Sequence, residues 1–221
     1  MPRVSPPHLL IFIGLLAVFI TLIHLGILRI AFDKLGLSPG GAYLLLMVSL
    51  FGSVINLPLF TIKADRPVEI PVHPLFRGLL HRQTEDFQGK TLVAVNVGGC
   101  LVPVTFSLYL MTINPLAAFD VIAGISVVAT MSYLLSRPIP GLGIGMPIFV
   151  APITAALVAL LLNPELSAPL AYISGTLGVV IGADLLKLHD IGKIGTPVAA
   201  IGGAGTFDGI FITGIVAVLL A

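Results

Sequence analysis

The chain has 221 residues, of which 57% are apolar and 10% charged, with a net charge of +1 and a mean hydropathy of +1.12. An ordinary soluble domain carries about 45–50% apolar and about 25% charged residues, so one soluble core cannot hide this much apolar surface and lipid must be its main solvent. The near-neutral balance excludes the basic footprint of a nucleic-acid binder, and the single cysteine, Cys100 in an apolar run, excludes an internal disulfide.

Taken in order, the apolar runs predict seven spans, at roughly 8–32, 41–61, 91–113, 116–135, 144–162, 168–187 and 204–221. The first run, "LLIFIGLLAVFITLIHLGILRIAF", is too long for a signal-peptide core and reads as a retained helix. It contains His24, expected to hydrogen-bond to a neighbouring helix. The hydrophilic stretch "KADRPVEIPVHPLFRGLLHRQTEDFQGK" parts the second and third spans, and "HPLFRGLLHR" within it could lie in the membrane interface. These elements predict one all-α, polytopic membrane helix bundle over 1–221, with a cytoplasmic loop at 62–90.

Lys and Arg set the orientation. Nine fall on the side of the N-terminus and two, Arg29 and Lys34, on the other. The positive side faces the cytoplasm, which predicts a cell-membrane protein with its N-terminus inside and its C-terminus outside.

Several stretches carry a family likeness. "FGSVINLPL" (51–59), "NVGGCLVPV" (96–104), "RPIPGLGIGMP" (137–147), "GTLGVVIGADLLKL" (175–188) and "GTPVAAIGGAGTFDGIFITGIVAVLLA" (195–221) closely resemble the prokaryotic membrane family known as domain of unknown function 1614. The resemblance runs from residue 43 onward. It implies a polytopic membrane protein and no particular activity.

Function therefore rests on ionisable residues inside spans, which are costly and default to functional roles. At 1.5 Å per residue, Asp120 lies about 6 Å and Asp184 about 24 Å from the outer edge of their spans. Asp208 opens the last span from the inside, so Asp184 and Asp208 share a depth on consecutive antiparallel helices. Small residues flank both: Gly182 and Ala183 at the first, Gly205 and Gly209 at the second. Two close carboxyls would share a proton, one activating water and the other protonating a carbonyl.

"IGAD" (181–184) and "TFD" (206–208) partly resemble the Gly-x-Gly-Asp and Tyr-Asp motifs of intramembrane aspartyl proteases of the presenilin and signal-peptide-peptidase group. Ala183 and Phe207 depart from those motifs, and the two stretches stand in reverse order. "FDVIAG" (119–124) also resembles the Tyr-Asp stretch. No Pro-Ala-Leu occurs, but Pro147 and Pro152 share one span and are expected to kink it.

Two readings follow. One is a protease with an Asp184/Asp208 dyad and a transmembrane peptide as substrate. The other is a transporter or channel using the same carboxylates for a cation, a proton or a small solute. Asn56 and Asn96 either tie helices together or line its polar cavity. "KLHDIGK" (187–193) reads as a solvated loop with a snorkelling Lys187. The spacing of Cys, His and Lys predicts no metal or cofactor site.

Overall fold

A computed structural model describes residues 6–24, 26–64, 89–139, 143–203 and 209–221. Its helices are α1 (Pro6–His24), α2 (Ile27–Lys34), α3 (Pro39–Gly52), α4 (Val102–Ile113), α5 (Ala118–Leu135), α6 (Val150–Leu162), α7 (Ser167–Val179) and α8 (Gly209–Leu220). The strands are β1 (Asn56–Lys63), β2 (Lys90–Asn96), β3 (Arg137–Ile139), β4 (Gly143–Gly145) and β5 (Val198–Ile201).

The chain is mostly helical, but the all-α expectation needs correction. Residues 56–61 and 91–96, expected inside spans, lie in strands that also take in 62, 63 and 90 from the expected loop. Antiparallel β1–β2 runs in register from Asn56↔Asn96 to Lys63↔Lys90, and β5 adds to β2 in parallel. The physical reason lies in side-chain type. "TLVAV" and "LFTI" are rich in β-branched residues, and a short apolar run bears no period that separates buried strand from helix. Pro58 is tolerated because β1 is an edge strand, and the register shifts between Pro58 and Phe60.

Among the described residues the seven expected spans are not all full-length helices either. Among the residues described with their side chains, two helices, Ala118–Leu135 and Ser167–Leu185, are long and apolar enough to cross a membrane. A third results if α2 and α3, bent by 107° at their junction, count as one span. Gly36 at φ 72° and Ser38, whose Oγ accepts from Gly41 N at 3.2 Å, make that bend. Among the described residues the apolar helices Val150–Leu162 and Ile210–Leu220 are shorter than about 30 Å of hydrocarbon requires.

The bundle is built around α7, whose side chains are buried all round. Glycines and small residues let neighbours approach it. Gly124 of α5 faces Ser174, while Gly178 and Gly182 of the α7 segment face Val128 and Ala129. These pairings rise together, so α5 and α7 run parallel. Gly175 faces Ala155 of α6 and both Thr213 and Ala217 of α8, and Gly214 faces Tyr172 and Thr176. That register is antiparallel, as expected for consecutive spans, and Ser167 Oγ donates to Ala221 O at 3.3 Å. Lys34 Nζ donates to Val218 O at 3.3 Å, a cation at the negative end of α8.

Below α3 the chain segments meet on glycine. The turn Val97–Leu101 is π-helical, and Gly98 in it lies against the backbone of Ser49, Gly52 and Ser53. Gly99 lies against Gly202, which has φ 82° at the end of β5. Cys100 is buried there as a small packing residue.

Candidate functional site

Asp184 sits where the hydrogen-bond ladder of α7 widens to a π-helix over Val180–Leu185, and its side chain is half-buried. Such π segments recur at functional sites because they turn one side chain out of helical register. Gly182, in the same turn, packs on the Ala129 backbone. Asp120 lies at the opposite end of the bundle, in the first turn of α5, where Asn163 Nδ2 donates to its Oδ2 at 3.4 Å. The depth separation expected for Asp120 and Asp184 matches this placement. Asp208, the expected dyad partner, and Gly205 lie outside the described residues, as does the segment "HPLFRGLLHR". Gly209 opens α8. The side chain of His24 is also outside the description.

The remaining predicted residues take structural places. Asn56 and Asn96 pair across β1 and β2 rather than between helices. Asn96 Nδ2 donates to Asn56 Oδ1 at 2.9 Å and to Ser53 O at 2.7 Å, and Asn96 Oδ1 accepts from Gly99 N at 2.7 Å. Pro147 and Pro152 produce no kink. Pro147 is exposed ahead of α6, and Pro152 is in its first turn, where a missing N–H costs no helical bond.

Three interior hydroxyls escaped the sequence reading. Ser132 Oγ on α5 is buried with no hydrogen bond among the described residues, and Tyr172 Oη and Thr176 Oγ1 on α7 are buried with no partner there beyond one another. Tyr172 is fully buried, with Phe106 edge-on at 5.0 Å between ring centroids. Thr176 follows it by four residues, on the same face. Ser132 lies three residues beyond Ala129, which meets Gly182, so the parallel register places it near the level of Asp184. Hydroxyls spaced on a small-residue helix were the available signal.

"KLHDIGK" is not a solvated loop. Leu188–Lys193 forms a 3-10 turn, and Asp190 is 7% exposed. Lys193 Nζ donates to Asp190 Oδ1 at 2.6 Å, His189 Nε2 stands 3.3 Å and Lys187 Nζ 3.9 Å from Oδ2. Lys187 also caps the Tyr133 ring at 4.3 Å. The Lys193 hydrogen bond lowers the Asp190 pKa, burial opposes this, and the charges of His189, Lys193 and Lys187 lower it further. A carboxyl depressed in the folded state stabilises above its unfolded value of about 3.9, and that stability is lost as pH falls through the folded value. Asp190→Asn is therefore expected to lower stability at pH 7 by about 1.5–3 kcal/mol, the worth of a charged hydrogen bond. It should also flatten the acid limb below about pH 4. Thermal unfolding of the purified variant between pH 7 and pH 3 tests this. An unchanged acid limb would mean that Asp190 is not the group that titrates.

Among the described residues no group of His, Cys, Asp and Glu could hold a metal. No curated protein and no solved structure matches the chain. A family model described as "Protein of unknown function (DUF1614)" matches residues 50–220, most of the chain, and the protein belongs to that family.

Proposed function

We propose that the protein is a membrane transporter or channel in which Asp184 takes up and releases a proton or cation. The carrying observation is the set of buried hydroxyls of Ser132, Tyr172 and Thr176, which find no partner outside the set among the described residues. Leaving a buried hydroxyl unpaired costs about 1–3 kcal/mol, and a hydroxyl can both donate and accept. Such groups suit a relay that passes a proton or an ion's hydration along α7. From Tyr172 to Asp184 is about 18 Å along the helix, over half of the hydrocarbon thickness. In this reading the shorter apolar helices also cross, giving seven passages, with the Lys- and Arg-rich end in the cytoplasm and the C-terminus outside.

The competing reading, an intramembrane aspartyl protease with Asp184 and Asp208, is supported by the likeness at 181–184 and 206–208, the depth expected to be shared by the two acids and their small flanking residues. One experiment separates them. Purified protein in liposomes is expected to dissipate an imposed pH or cation gradient, and Asp184→Asn to cut that flux at least about tenfold by removing the group that titrates. Ser132→Ala should also slow flux while leaving stability equal or slightly higher, because it removes a buried hydroxyl that has no partner among the described residues. Cleavage of transmembrane peptides by the wild type, without flux, would replace the transport reading with the protease.

A further inference from the structure

We propose that the end of the bundle holding Lys63, Lys90 and Lys193 binds the phosphate headgroup of anionic glycerophospholipids. This inference rests on the membrane location and not on transport. In the β1–β2 ladder Lys63 stands directly opposite Lys90, and the strands stay paired beyond it through Ala64 N to Gly89 O at 3.1 Å. Opposed residues in an antiparallel pair have Cβ atoms about 4.5–5.5 Å apart, and like charges there are destabilising unless an anion lies between them. Both lysines are exposed, and neither forms an ion pair among the described residues. The nearby Asp190 is already engaged by Lys187, His189 and Lys193.

The surroundings point to a headgroup rather than to water. The 3-10 turn packs on β1, β2 and β3, and Gly192 approaches Lys63 O, so Lys193, bonded through Nζ to Asp190, lies at the same end of the molecule as the lysine pair. Three segments become basic at this end within three residues of an exposed apolar side chain: Phe60 before Lys63, Leu134 before Arg137, and Leu186 before Lys187. From Phe60 to Lys63 is about 10 Å of strand, roughly the step from acyl chains to phosphates. The free edge of β1 cannot lie in hydrocarbon, where its backbone groups would go unpaired, so the sheet belongs at the interface. Among the described residues this end carries five Lys and Arg, against Arg29 and Lys34 at the other. Clustered cations of this kind recognise anionic leaflets.

The test is thermal unfolding of the full chain in neutral detergent, with phosphatidylglycerol or phosphatidylcholine added. Phosphatidylglycerol is expected to raise the midpoint about 5–10 °C more than phosphatidylcholine, as ligand at about 100 times its dissociation constant would for a chain of this size. Lys63→Gln with Lys90→Gln should lose at least half of that difference, and Arg29→Gln at the far end should keep it. Equal shifts from both lipids, or a lysine variant as responsive as the wild type, would overturn the proposal. Inorganic phosphate reproducing the whole shift would assign the site to free phosphate and overturn the lipid. A two-chain mass by light scattering that is indifferent to lipid charge and lost in the lysine variant would give the edge to a second copy.

Discussion

Gly98→Ala is expected to abolish most folded protein. A methyl group at Gly98 would overlap the Ser49 carbonyl oxygen and the Ser53 amide nitrogen, both backbone atoms of α3. Backbone cannot swing aside as a flexible side chain can, so the cost should reach about 3 kcal/mol or more, the upper range for overpacking. The contact also carries a hydrogen bond, Ser49 Oγ to Gly98 O at 2.6 Å, that any separation would break. Gly40→Ala is the control. Nothing lies within 4 Å of a methyl group there, and Gly40 is helical in α3, so the change should be neutral or stabilise by up to about 1 kcal/mol. Size-exclusion of detergent extracts and thermal midpoints measure both. A Gly98→Ala protein that is monodisperse, with a wild-type midpoint, would show that α3 does not press on the π turn.

That junction also shows what the sequence could and could not reveal. The apolar runs located the bundle, and the consecutive antiparallel packing of α7 and α8 follows from the spacing of the last two runs. The opposite placement of Asp120 and Asp184 follows from counting 1.5 Å per residue along two spans that begin on the same side. The sheet was hidden because Asn96 joins two apolar segments, "TLVAV" and "VGGCLVPV", into one run of spanning length. Only the pairing with Asn56, forty positions away, makes the first half a strand. The glycine pair 98–99 reads equally as helix packing or as a break. Its role is set by Ser49 and Gly202, which are distant in sequence. The buried hydroxyls and the buried Asp190 are likewise tertiary facts, since exposure depends on neighbours that no local pattern names.

Asn96 supplies the second large effect. It is fully buried and satisfies three groups at once: Ser53 O, Asn56 Oδ1 and Gly99 N. These partners belong to the end of α3, the start of β1 and the π turn before α4, so one amide fixes the order of three elements. Asn96→Leu keeps the approximate volume and strands all three partners. Each buried group left unsatisfied costs about 1–3 kcal/mol, so a loss of about 3–5 kcal/mol is expected after local relaxation. Asn96→Asp separates hydrogen bonding from shape. At neutral pH the carboxylate still accepts from Gly99 N but cannot donate to Ser53 O or Asn56 Oδ1, and it buries a charge. Protonation restores one donor, so this variant should recover part of its stability as pH falls toward 5, opposite in sign to the loss that Asp190 gives the wild type below about pH 4. Thermal unfolding of both variants from pH 8 to pH 5 measures this. Asn96→Leu at wild-type stability would reduce the amide to a packing group. An Asn96→Asp midpoint independent of pH would show that its carboxyl reaches solvent and does not take the place of the buried amide.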